Sequence, residues 1–274
     1  SLGGAVLQAC ALDPVCHAVE RAYRAGIVVV ASAGNRGKDA DGVEVFGGVT
    51  VPGNSPFAIT VGCVNTKGTA QRSDDVVCSY GSRGPTLYEG LIKPDLVAPG
   101  NKILGLLAPG STLAREHPEL VIDTTEGKRL QLSGTSMAAA VVSGAVALTL
   151  EPQPSVHPEA IRHLLQQTAS EVPNTTFIQT GTGSLNVRAA LGVVAGQGAE
   201  AVIAGETTNA SYNSFCTQST CSLSTAGIAW TDGITWTDGI AWTDGIAWTD
   251  GIAWTDGIAW TDGIAWTDGI AWTD

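Results

Sequence analysis

The stretch "TSMAAAVVSGAVALTL", residues 135–150, constrains this chain more than any other. Ala, Val and Leu fall on every side of a helix drawn through it. A helix that is apolar all round is expected to be buried. The run is too short for the ~18 apolar residues of a membrane span, and Ser143 and Thr149 interrupt it. It reads as a core helix that the rest of the chain must cover.

Other segments supply the cover. In "DPVCHAVERAYRAG", Asp13 is a candidate N-cap and Pro14 takes the first helical position. Val15, Ala18, Val19, Ala22 and Tyr23 follow the spacing of one apolar face, and Gly26 ends the helix. "IVVVAS" (27–32) predicts a fully buried strand of the parallel-sheet kind. "FAITVGCV" and "DLVAPG" predict two more. "HPEAIRHLLQQTA" predicts a helix with Ile161, Leu164, Leu165 and Thr168 on one face, and a last helix covers roughly 187–195. Strands alternating with helices argue for an open α/β sheet.

From residue 227 a hexapeptide, GIAWTD, repeats eight times to residue 274 with one Ala→Thr change, at Thr235. The chain thus divides into a varied part, 1–195, a Gly/Ser/Thr/Asn-rich linker with a Cys loop, 196–226, and the repeats, 227–274. All eight Trp lie in the repeats. A period of six is even, so an extended strand would carry Ile, Trp and Asp on one face. Asp-Gly also suits tight hairpin turns. The repeats are read as disordered or as short β-structure, with self-association through the Trp-rich tail as an expectation. Net charge is −12, but eight of the 26 acidic residues sit in the repeats, which hold no Lys or Arg. The remainder is nearly balanced and gives no reason to expect nucleic acid or an anionic membrane as partner.

Six cysteines form three close pairs, Cys10/Cys16, Cys63/Cys78 and Cys216/Cys221. None has zinc-ligand spacing. Cys10 and Cys16 flank a helix start, and Cys63 and Cys78 suit adjacent antiparallel strands. Local disulfides and an oxidising, extracytoplasmic location are expected; buried free thiols are the alternative.

Two positions suggest chemistry. Ser136 lies at the start of the apolar helix, where a hydroxyl feels the positive end of the helix dipole. It is either a nucleophile or a capping residue. Asn35 follows the strand "VVVASAGN" beyond small residues that would let a peptide lie alongside. It is either a donor to a developing oxyanion or a turn residue.

Taken together, six blocks are similar to a known family. They are "SLGG" (1–4), "VVVASAGN" (28–35), "SPFAITVGCVN" (55–65), "SYGSRGP" (79–85), "KPDLVAPG" (93–100) and "SGTSMAAAVVSGAVAL" (133–148). In this order they resemble the subtilisin-like serine peptidases. "PSVHPEAIRHLLQQTA" and "GTGSLNVRAAL" look like that family's closing helices. The resemblance covers residues 1–195 and implies a mostly parallel sheet with helices on both faces. It implies Ser136 as nucleophile and Asn35 as oxyanion donor with the Ser136 N–H. Ser1, Leu2 and Gly3 would pair with substrate backbone, and Ala33 and Gly34 would wall the specificity pocket. No cofactor is implied beyond a possible structural calcium, for which no site is identifiable.

The departure is equally specific. The family's catalytic Asp and His precede the "SLGG" block, which here begins at residue 1. His17, His117, His157 and His163 lack the Gly-rich context of the family's His. "IDTTEG" (122–127) echoes the Asp motif only faintly and in the wrong place. The expectation is a serine endopeptidase whose Asp and His lie upstream of residue 1, inactive as this chain alone. The rivals are a non-catalytic relative that only binds, and a surface protein in which the repeats are the functional part.

Overall fold

A computed structural model describes residues 1–215 and, by backbone alone, the strands between 229 and 273. It divides into two units, Ser1–Ser211 and Tyr212–Asp274.

The first unit is built on a small α/β sheet. Helix α1 spans Pro14–Arg24, and the Asp13 carboxylate caps it by accepting from the N–H groups of Val15 and Cys16. Its buried face is Cys16, Val19 and Tyr23, one position round from the periodicity reading, which leaves Val15 and Ala18 exposed. Cys16 is buried and joined to Cys10, also buried, by a disulfide.

Strand β1 (Val30–Ser32) pairs in parallel with β2 (Ile59–Asn65), with Val30 opposite Ile59. The strand expected over 27–32 is therefore shorter, and Ile27 is 57% exposed. β2 takes a short antiparallel partner, β3 (Val76–Val77), at its far end. One rung beyond, Cys78 donates its N–H to Cys63 O at 2.9 Å, and the two side chains form a disulfide. β4 (Leu96–Pro99) lies parallel to β2 on its other side. No described strand covers the outer edge of β1.

β5 (Ile103–Leu106), α2 (Thr112–Glu116), β6 (Val121–Thr124) and β7 (Gly127–Leu132) follow, the strands forming an antiparallel sheet in the order β5-β7-β6. No periodic signal announces this insert, because its strands are short and mostly half-exposed.

Helix α3 (Thr135–Leu150) crosses one face of the main sheet. Ala138, Val142, Ala145 and Val146 pack with Val61, Leu96 and Ala98. Ile161 and Leu165 of α4 (Pro158–Gln167) join this core, as does Ala190 of a later helix. Val19, Ala31 and Ala58 form a second cluster on the opposite face. Val30 faces one cluster and Ala31 the other, as neighbouring strand residues must. The sheet thus carries helices on both faces. Yet α3 is not buried all round: Ala140, Ser143, Gly144, Ala147 and Leu148 are exposed, Leu148 by 48%.

A buried polar knot ties β4 to the sheet. Lys93 and Asp95 are both fully buried, and Lys93 Nζ lies 2.6 Å from Asp95 Oδ2. Lys93 Nζ also donates to Ala58 O, while Asp95 accepts from the Thr60 N–H and from Gln166 Nε2.

The unit closes with α5 (Phe177–Thr180), α6 (Val187–Val194) and the hairpin β8 (Ala201–Ile203) and β9 (Glu206–Thr208). Residues 196–211, read from composition as linker, therefore include paired strands; the Ser211 N–H donates to Ala169 O. The expected Cys216–Cys221 pair lies outside the described residues.

In the second unit each repeat contributes a strand, β10 (Ala229–Asp232), β11 (Thr235–Asp238), β12 (Ala241–Asp244), β13 (Ala247–Asp250), β14 (Ala253–Asp256), β15 (Ala259–Asp262), β16 (Ala265–Asp268) and β17 (Ala271–Thr273). Pairing is parallel and skips two repeats: β10 with β13 and β16, β11 with β14 and β17, β12 with β15. Among the described residues no two consecutive repeats pair as antiparallel strands.

Candidate active site

Four segments meet where α3 begins. Gly134 precedes the helix with φ +155°, and Thr135 and Ser136 open it. Thr135 is fully buried and Ser136 half-buried. The first N–H groups of a helix have no intrahelical partner. Here the Thr135 N–H donates to Asn35 Oδ1 at 3.1 Å, and the Met137 N–H donates to Gly134 O at 3.1 Å. The Ser136 N–H between them has no acceptor among the described residues.

Asn35 lies beyond the end of β1 and is exposed. Its Oδ1 takes a second bond, from Thr135 Oγ1 at 3.1 Å. Thr135 Oγ1 also accepts the Gly34 N–H at 3.2 Å. Two donors on Oδ1 orient the amide, so Nδ2 points away from Thr135. Nδ2 donates to no described residue, and it lies 3.4 Å from where a Cβ on Gly134 would stand. The site therefore offers two uncommitted N–H donors, one from backbone and one from a side chain. Such a pair suits an oxygen that gains negative charge.

The turn around Asn35 is held from behind. Ser82 donates its N–H to Gly34 O at 2.9 Å, and its Oγ accepts the Arg36 N–H at 3.0 Å. Gly34 has φ +105°, and a Cβ there would fall 2.8 Å from Thr50 Cγ2 and 2.9 Å from Ser82 Oγ. Neither the backbone nor the space admits another residue.

The N-terminal residues run alongside. Gly4 and Val51 exchange both backbone hydrogen bonds, at 3.0 and 3.1 Å. Ser1 Oγ donates to Ser136 O at 3.2 Å. Leu2 is 85% exposed. A Cβ on Gly3 would lie 2.9 Å from Thr50 Oγ1, so Gly3 and Gly34 both border Thr50. Ala33 is buried, held by its N–H on Val61 O and by the Thr50 N–H on its own carbonyl. The structure thus gathers Ser136, Asn35, Ser1, Gly3, Ala33 and Gly34 into one region.

It does not bring a histidine there. His17 Nε2 lies 2.9 Å from Ala11 O, and His117 Nδ1 3.0 Å from a Glu119 carboxylate oxygen. His157 caps α4 through Nδ1 and stands edge-on to Tyr23. His163 is half-buried, with Nε2 2.9 Å from Glu159 Oε1. Among the described residues no hydrogen bond joins a histidine to Ser136. No group of three or more His, Cys, Asp or Glu side chains placed to hold a metal occurs among the described residues.

Three residues of this arrangement escape a reading of the sequence. Thr135 looks like an ordinary first-turn residue, and its only signal is a β-branched polar side chain at the mouth of an apolar helix. Thr50 and Ser82 carry no signal, because their neighbours are remote in sequence.

Comparison with known proteins agrees with this architecture. The model of the subtilase family matches residues 1–193. Serine protease AprX of Bacillus subtilis (strain 168) is 36% identical over 174 residues, 64% of this chain and 37% of that protein. Subtilisin E of the same organism is 34% identical over 172 residues, 63% of this chain and 35% of its own length. The chain thus spans little more than a third of these relatives. Among solved structures, patellamide maturation protease PatA is 27% identical with a TM-score of 0.50, covering 71% of this chain and 61% of that one. From its ordered motifs, its sheet and its family match, the chain belongs to the subtilase family of serine peptidases.

Proposed function

We propose that residues 1–211 are the nucleophile-bearing part of a serine endopeptidase acting by acyl transfer. Ser136 Oγ attacks the scissile carbonyl. Asn35 Nδ2 and the Ser136 N–H receive the oxyanion. The backbone of Ser1–Gly3 pairs with an extended substrate, and Ala33 and Gly34 wall the pocket for the side chain preceding the cut. The observation that carries this reading is the pair of uncommitted donors beside Ser136, held by Thr135.

The general base and its orienting carboxylate come from a segment outside residues 1–274. Each histidine present is engaged elsewhere. Two surfaces support a missing neighbour: the open edge of β1 beside exposed Ile27, and the exposed apolar stripe of α3. An open parallel strand and a bare core helix are surfaces that folded domains ordinarily cover. The two disulfides suit an extracytoplasmic location.

A fluorophosphonate probe tests the proposal. The chain alone should not label, because nothing takes the Ser136 proton. Adding the upstream Asp- and His-bearing segment of a relative, fused or co-expressed, should produce labelling that Ser136→Ala abolishes. Strong labelling of the chain alone would show that it contains its own base. Failure to label after a folded complex forms would favour a protein that only binds.

A further inference from the structure

In the second unit every described pairing joins strands eighteen residues apart, in parallel and in register. Trp230 stands opposite Trp248 and Trp248 opposite Trp266; Trp236 opposite Trp254, and Trp254 opposite Trp272; Trp242 opposite Trp260. The chain therefore visits three sheets in rotation, and each passage lays the same residues over those of the passage before. The edge that receives one passage is chemically the same as the edge that receives the next. Among the described residues no strand covers the outer edges of β10, β11 and β12, nor those of β15, β16 and β17. Proteins protect such edges with Lys, Pro or bulges. The repeats hold no Lys and no Pro.

We propose that the repeats are a head-to-tail assembly surface whose partner is a second copy of this chain. The outer edge of β15, β16 and β17 in one copy pairs in parallel, in register, with the edge of β10, β11 and β12 in the next. The two edges differ in direction, so the contact is heterologous and does not close on itself. Repetition yields an open filament rather than a dimer. Identical residues then stand in register across the junction as they do within one copy, with a strand spacing of about 4.8 Å. The proposed junction involves strands of the second unit only, so the assembly requires no proteolytic activity.

The test uses the whole 274-residue chain in sedimentation velocity over a range of concentrations, with fibre diffraction on any assembled material. Assembly that grows with concentration and gives a reflection near 4.8 Å along the axis is expected. A chain that stays monomeric throughout overturns the proposal. Two variants test the polarity. One carries Ala259→Pro, Ala265→Pro and Ala271→Pro; the other carries Ala229→Pro, Thr235→Pro and Ala241→Pro. Each removes strand N–H donors at one end only. Each alone should stay monomeric, because every junction needs both kinds of edge, and a mixture of the two variants should stop at dimers, whereas the unmodified chain forms filaments. Adding a small excess of either to the unmodified chain should cap and shorten the filaments. Variants that assemble as far as the unmodified chain, or that leave its filament length unchanged, overturn the proposal.

Discussion

Thr135 grips Asn35 through two groups at once: its backbone N–H and its hydroxyl both reach Asn35 Oδ1 at 3.1 Å. The same hydroxyl accepts the Gly34 N–H. A buried side chain on the helix thus sets the direction of an exposed amide on the sheet. In a complex completed by an upstream segment, Thr135→Val should lower kcat about two- to tenfold, as expected for a net hydrogen-bond contribution of ~0.5–1.5 kcal/mol. KM should change little, and Thr135→Ser should recover most of the loss. Asn35→Ala should cost more, ~10²–10³ in kcat, the size known from the relative subtilisin. Equal rates for Thr135→Val and the unmodified protein would show that the amide is held by other means.

The Lys93–Asp95 pair is predicted to be a structural keystone. Both groups are fully buried, so removing one leaves the other charged and uncompensated. Lys93→Met should destabilise the first unit by ~3–5 kcal/mol. Urea unfolding followed by far-UV circular dichroism measures this. A loss below ~1 kcal/mol would mean that Thr60 and Gln166 satisfy Asp95 without the lysine.

Glu159 predicts an acid limit. Burial alone would raise its carboxyl, but hydrogen bonds from His163 and Tyr23 and pairing with Arg162 outweigh burial and hold it at about 2, against an ordinary 4.5. A carboxylate with a depressed folded pKa stabilises the fold fully above its unfolded value. That contribution is lost as pH falls from about 4.5 toward about 2. Glu159→Gln should therefore flatten the fall in stability across this window and lower stability at neutral pH. Thermal unfolding at a series of pH values would reveal an unchanged slope if Glu159 were not responsible.

The two disulfides should differ in worth. Cys63–Cys78 closes fifteen residues and Cys10–Cys16 only six. On the loop-entropy account the first contributes about 3 kcal/mol and the second less. Double Cys→Ser variants, compared by denaturant midpoint, should rank in that order. The reverse order would point to the burial of Cys16 within α1 as the larger effect.

All eight tryptophans lie in the repeats, so tryptophan emission reports the second unit alone. Reduction of the disulfides in the first unit should lower its circular-dichroism midpoint and leave the emission transition in place. A shift of both together would show that the two units unfold as one.

The sequence determined which elements exist where a strong local pattern met a capping signal. Asp13 and Pro14 started α1, the Ala/Val run made α3, and the apolar runs made β2 and β4. It also determined the disulfides within the described residues, because their spacing is short, and the family, through ordered motifs. Tertiary structure alone decided which side of α1 is buried, with Cys16 inward and Val15 and Ala18 outward. It decided that β1 is short, that residues 103–132 fold into a separate antiparallel sheet, and that 196–211 pack rather than link. The site followed the same division. Ser136 and Asn35 were visible because each sits beside a strong local signal. Thr135's grip on Asn35 spans 100 residues of sequence, and the crowding of Thr50 between Gly3 and Gly34 is likewise non-local. Local patterns fix which elements form; contacts remote in sequence exist only once the sheet has brought β1 and the start of α3 together.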